Sequence, residues 1–272
     1  MARLLYRSAV LLVLLLIFST SLPSRAQLSE LDQIQVAPPM RQVPPPSADA
    51  SAKELERQAD QLRSQKAYID AIDYFEAAIQ KDPNNATLYN KLGISELMLQ
   101  RFREAGKHFE TAVKKDRKLA EAYNNLGVVN YARKKYRGAI KQYKKALEVD
   151  PNSASFHSNL GAAYFAQKKF EEATKEYAEA VKLDPEIFEH SSRTGIAAQM
   201  SSPQDRAHYS YVLAKLYAKM GDTDHSLQYL RKAMEEGYKK VDDAYKDPEF
   251  AELRKDARFA ELMKERPAPL PD

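Results

Sequence analysis

Residues Ala120 to Ser153 read AEAYNNLGVVNYARKKYRGAIKQYKKALEVDPNS, and the next 34 residues, Ala154 to Ile187, read ASFHSNLGAAYFAQKKFEEATKEYAEAVKLDPEI, a near copy position for position. The same interval taken backwards gives ATLYNKLGISELMLQRFREAGKHFETAVKKDRKL from Ala86 and AKELERQADQLRSQKAYIDAIDYFEAAIQKDPNN from Ala52. A fifth unit, AHYSYVLAKLYAKMGDTDHSLQYLRKAMEEGYKK from Ala207, follows after an extra 19 residues. A fixed interval of this size marks stacked supersecondary units, none of which buries its apolar face alone.

The recurring side chains say what those units are. Small residues fall at the eighth position (Ala59, Gly93, Gly127, Gly161, Ala214), the twentieth (Ala71, Ala105, Ala139, Ala173, Ser226) and the twenty-seventh (Ala78, Ala112, Ala146, Ala180, Ala233). Large apolar groups fall at the seventh (Leu92, Leu126, Leu160, Leu213) and twenty-fourth (Phe75, Phe109, Tyr143, Tyr177, Leu230), at helical spacing from the small ones. The pattern predicts two helices per unit that approach where side chains are small and interlock where they are large. Asp82-Pro83, Asp150-Pro151 and Asp184-Pro185 end the second helix, because proline lacks a donor and disfavours a helical residue before it.

These residues resemble the tetratricopeptide repeat, with Leu160-Gly161, Tyr164, Phe170, Ala173, Tyr177, Ala180 and Pro185 as the fullest match. Glu96 and Asn130 stand where Tyr is usual, Arg117 replaces the Pro, and the fifth unit ends in Tyr238. The resemblance implies an all-α, right-handed α-solenoid of about five helix-turn-helix repeats. Four contiguous units cover 52–185, an insertion with a short helix and a loop broken at Pro203 covers 186–206, and the fifth unit covers 207–240. Segment 241–266 supplies short capping helices, with Asp247 and Asp256 as N-caps and Phe250, Leu253, Phe259, Leu262 and Met263 as the apolar cover. Residues 267–272 form a disordered tail.

Upstream of the repeats, Arg3 and Arg7 precede an apolar run from Ala9 to Phe18, and Ser24-Arg25-Ala26 resembles a cleavage site. Residues 1–26 therefore read as a secretory signal peptide, and the protein as periplasmic or secreted; membrane contact is expected only if this segment stays uncleaved. Residues 27–51, with Pro38, Pro39, Pro44, Pro45 and Pro46, read as a disordered proline-rich linker. Loss of the leader reduces the 42 basic residues to 39 against 38 acidic ones, so nucleic acid is not an expected partner. With no cysteine there is no thiol catalyst, disulfide or thiol-linked lipid anchor.

No catalytic constellation emerges. The five histidines show no metal-ligand spacing, the glycines form no phosphate loop, and the carboxylates lie on charged helical faces, so neither cofactor nor metal is expected. An enzyme reading would have to rest on His190, Arg193 and His208. The tetratricopeptide resemblance points instead to the concave face, where its groove positions carry Asn90, Lys91, Asn124, Asn125, Tyr131, Ser158, Asn159 and Phe165. Such amides suit a peptide backbone, and the rings suit apolar side chains. The carboxylate clamp of chaperone-binding members is disfavoured, since its positions hold Asn90, Ile94, Asn125, Ser155 and Asn159, and only Asn125 fits. The expected function is a non-enzymatic scaffold holding a protein or peptide segment. The alternative is an anionic glycan or lipid headgroup on the basic run Arg133, Lys134, Lys135, Arg137 and Lys141.

Overall fold

The computed structural model describes residues 41–191 and 202–270. The signal segment, residues 27–40 of the linker and Arg193 lie outside them. The described helices belong to the unit formed by residues 43–272, and no strand occurs among the described residues.

Eight helices form four hairpins: α1 (Ala52–Ser64) with α2 (Tyr68–Lys81), α3 (Ala86–Met98) with α4 (Phe102–Lys115), α5 (Ala120–Ala132) with α6 (Tyr136–Val149), and α7 (Ala154–Ala166) with α8 (Phe170–Leu183). Each second helix stops at an aspartate, Asp82, Asp116, Asp150 or Asp184, including the one not followed by proline. In the second, third and fourth hairpins the aromatic ring of the second helix lies on the glycine of the first, whereas the first hairpin sets Phe75 in the second helix and Ala59 in the first, both fully buried. A Cβ at Gly93, Gly127 or Gly161 would sit 2.7, 2.3 or 2.5 Å from the ring of Phe109, Tyr143 or Tyr177. Only a bare backbone permits that approach, and the rings are fully buried in return. The turn between the two helices needs a left-handed residue, and the chain places Lys66, Gln100, Lys134 and Lys168 there, at φ of 63°, 58°, 58° and 61°.

The linker reading is corrected at its end. Residues 43–50 lie along α2: the Val43 amide donates to Asp70, Tyr74 OH donates to the Pro44 carbonyl (3.0 Å) and the Lys81 ammonium to that of Ala48 (2.7 Å). Proline carbonyls still accept hydrogen bonds, so a proline-rich segment is able to dock where donors point at it.

After α8 comes the short α9 (Ile187–Ser191), then α10 (Pro203–Met220) and α11 (Thr223–Glu235). α10 begins earlier than the repeat register predicts. Ser202 caps it through its hydroxyl and Pro203 occupies the first turn, where a missing donor costs nothing. More consequential is direction. His208 lies 4.5 Å from the Phe170 ring at the start of α8, Tyr209 lies 5.6 Å from Tyr177 in its middle, and Tyr217 OH reaches the Pro185 carbonyl beyond its end. The helix therefore runs parallel to α8, whereas in-phase stacking would make it antiparallel. The fifth hairpin is turned end for end.

The C-terminal cover is also corrected in detail. Three 3-10 turns, Val241–Tyr245, Pro248–Phe250 and Leu253–Lys255, precede α12 (Ala257–Glu265). Asp256 caps α12, but Asp247 makes no cap: its carboxylate accepts from Tyr211 OH (2.8 Å) and pairs with Lys215 (3.1 Å), fastening the cover to α10. Phe250, Leu253, Phe259, Leu262 and Met263 are all buried. Past α12 the chain does not simply trail off, since the Leu270 amide donates to the Glu235 carbonyl (2.8 Å).

Candidate functional site

The asparagines of the first helices are already engaged with one another. Asn125 donates its amide to Asn90 Oδ1 (2.9 Å), and one repeat later Asn159 donates to Asn124 Oδ1 (2.9 Å). At the first joint the same register holds an ion pair, with Lys91 Nζ 2.6 Å from Glu56 and 2.5 Å from Asp60. Burial opposes the Lys91 charge, but the hydrogen bonds to Asp60 and Glu56 outweigh it and raise its pKa. Position six of each unit thus clasps position five of the one before. Asn90 is buried, and Ser158, half-buried at the register of Asn90 and Asn124, brings no amide with which to continue the series. This row of clasps ties successive hairpins together and takes up the Asn90 and Asn124 carbonyl oxygens.

The open space lies lower on the same face, at the turn ends of the hairpins. A cleft of about 1140 Å³ runs past the last residues of α3, α5 and α7 and is closed on its far side by the start of α10 and by Gly237–Lys240. Its floor is aromatic: Tyr131, Tyr136, Phe165, Phe170, His208 and Tyr238. Tyr131 packs edge-on against Tyr136 at 5.2 Å and Phe165 against Phe170 at 5.3 Å. His208 and Tyr209 cover Phe165 at 5.4 and 5.7 Å, and Phe165 is only 5% exposed; Tyr131, packed on Tyr136, is 6% exposed. The reversed hairpin has turned the pocket expected at Phe165 into a wall. Open apolar surface is supplied instead by Met98, which is 51% exposed.

The basic run of the third unit meets this cleft. Arg133, Lys134, Lys135, Arg137 and Lys141 are all exposed, and Lys134 lies on the cleft rim. Lys168, Lys239 and Lys240 share that rim, against Asp205 as the one carboxylate of the lining. These three lysines, with Met98 and Tyr238, belong to the site and were not singled out from the sequence. A signal existed for Lys168, because it repeats Lys134 one interval later; none existed for Lys239 and Lys240, which reach the cleft only through the reversal.

Of the residues considered for catalysis, His208 is packed among rings, and burial pushes its pKa down. No group of three or more metal-ligating side chains occurs among the described residues, and no helix there is long and apolar enough to cross a membrane. Glu96, an oddity in the repeat pattern, is buried and lies 2.7 Å from His108 Nδ1, and Glu176 holds His157 in the same way.

Models of the tetratricopeptide repeat match residues 62–126, 129–168, 154–187 and 207–236, together more than half of the chain. No curated protein matches it. Similar solved structures include MamA of Desulfovibrio magneticus, at 19% identity and a TM-score of 0.50 over 70% of this chain and 96% of that one. A thermophilic tetratricopeptide repeat protein of Thermus thermophilus aligns at 21% identity and 0.49 over 79% and 100%. YrrB, described as having an unusual peptide-binding site, aligns at 19% and 0.47 over 79% and 92%. At such identities the likeness concerns the fold.

Proposed function

Because the chain belongs to the tetratricopeptide repeat family, whose hairpins stack to present a face rather than enclose a reaction site, we propose that it is a non-enzymatic scaffold exported from the cytoplasm. It holds a segment of another protein on the inner face of its repeats and serves the assembly of an envelope or secretion complex. The observation that carries this reading is the aromatic cleft at the turn ends, large enough for several side chains and open at Met98. Export rests on the arginine-flanked apolar run of residues 1–26.

A photo-crosslinking residue placed at Met98, compared with one at the exposed Glu110 of α4, tests the face in native cells. Partners trapped at Met98 and absent at Glu110 are the expected result, and equal capture at both positions would sink the proposal. Fractionation with intact-mass measurement tests export: the expected species begins at Gln27 outside the cytoplasm, and an uncleaved cytosolic chain contradicts it.

A further inference from the structure

The four turns within the in-phase hairpins share a costly choice. Lys66, Gln100, Lys134 and Lys168 all take φ near +60°, a region that costs a residue with a Cβ about 1 kcal/mol. Glycine takes it freely, and the fifth unit does use Gly221, at φ 81° with nothing within 4 Å of its missing Cβ. Side chains retained at strained positions invite the question of what they hold. Lys134 and Lys168, with Gln100, stand on the rim of the aromatic cleft. Lys239 and Lys240, in the loop after α11, line the cleft as well. All four lysines are exposed, and none is paired with a carboxylate among the described residues. The lining thus brings four lysines to an apolar cleft and offers one acid, Asp205, in return.

We propose that this cleft takes an acidic segment of a partner protein, seating an apolar side chain on Met98 and the part-exposed rings of Tyr136, Phe170 and Tyr238, and its flanking Asp or Glu carboxylates on Lys134, Lys168, Lys239 and Lys240. The assignment rests on the scaffold reading and names the chemistry of its partner. It differs from a clamp for a chain terminus, because four separate lysines line the cleft and hold carboxylates spread along a segment. Long flexible ammonium side chains act as point charges here, which suits a charge pattern more than one fixed geometry.

A random peptide library displayed against the full chain tests this, followed by binding titrations of the enriched peptide. Enrichment of Asp and Glu around Leu, Ile or Phe is the expected result. The double variant Lys134→Gly, Lys168→Gly removes two charges and relieves the turn strain, so it keeps its fold by circular dichroism while binding the selected peptide about tenfold more weakly. Raising salt from about 50 to 300 mM weakens the wild-type complex and has less effect on the variant. Enrichment of neutral or basic peptides, or equal affinity in the variant, overturns the proposal but leaves the scaffold reading standing. Failure to enrich any peptide overturns it too, and with no capture at Met98 removes both. Displacement of the selected peptide by phosphatidylglycerol vesicles, with tighter binding to vesicles, would assign the cleft to an anionic amphiphile and likewise overturn it.

Discussion

At the scale of single residues, the four in-phase repeats solve one packing problem with two kinds of ring. Phe75 and Phe109 fill the twenty-fourth position in the first two units, whereas Tyr143 and Tyr177 fill it in the next two, fully buried and with hydroxyls that find no protein partner. Burial holds both phenols far above the ordinary tyrosine pKa. An unpaired buried hydroxyl is a net cost, so Tyr143→Phe and Tyr177→Phe should each stabilise the fold by about 1 kcal/mol, read from urea midpoints. The opposite sign is expected for Gly127→Ala and Gly161→Ala. The new methyl would meet a Tyr ring atom at 2.3 or 2.5 Å, and overpacking of this kind costs about 1–3 kcal/mol. Shrinking the ring with Tyr143→Leu in the Gly127→Ala background should recover part of that loss, as Ala214 and Leu230 coexist in the fifth unit. These positions were legible because steric need repeats with the sequence. The asparagine clasps were half legible: the period of Asn90, Asn124, Asn125 and Asn159 is visible, but whether an amide meets a guest or its neighbour depends on the offset between hairpins.

Single elements carry the pH response. Asp222 caps α11 by accepting the His225 amide and also lies 2.7 Å from His225 Nδ1. Burial lowers the His225 pKa somewhat, but the hydrogen bond and charge of Asp222 prevail, and the net shift is upward from 6.5. A raised folded-state value means that the stabilisation is fully present below the unfolded pKa and is lost as pH climbs through the folded one. His208, at the start of α10, shows the reverse: burial depresses its pKa, so the fold loses stability as pH falls below about 6.5 and the unfolded chain takes up the proton first. An NMR titration should place His225 above and His208 below the ordinary histidine value, and Asp222→Asn should return His225 towards it without moving His208. Element ends were readable where a side chain acts locally, as at Asp256. Asp247 had the same local pattern and misled, because Tyr211 and Lys215 compete for its carboxylate from another helix.

For the whole array, the helical class and the repeat were legible from the interval alone, whereas the sense of the last hairpin was not. Its sequence fits the repeat, and nothing in a period states which way a rod is laid down after an interruption. Orientation follows from Phe165, Phe170, Tyr177 and Phe188 receiving His208 and Tyr209. Ending the chain after Pro185 should therefore expose the Phe165, Phe170 and Tyr177 surface. Dye binding to apolar surface and self-association should rise sharply, while loss of residues 241–272 alone should disturb mainly α10 and α11. A row of like-facing hairpins normally offers a docking place for one more at its end. Here the terminal pair faces backward and acts as a bookend, so a duplicated unit spliced after it would find no matching surface. A copy inserted between the second and third units would meet the joints it expects on both sides, and growth of this array by gene duplication is thereby confined to its interior.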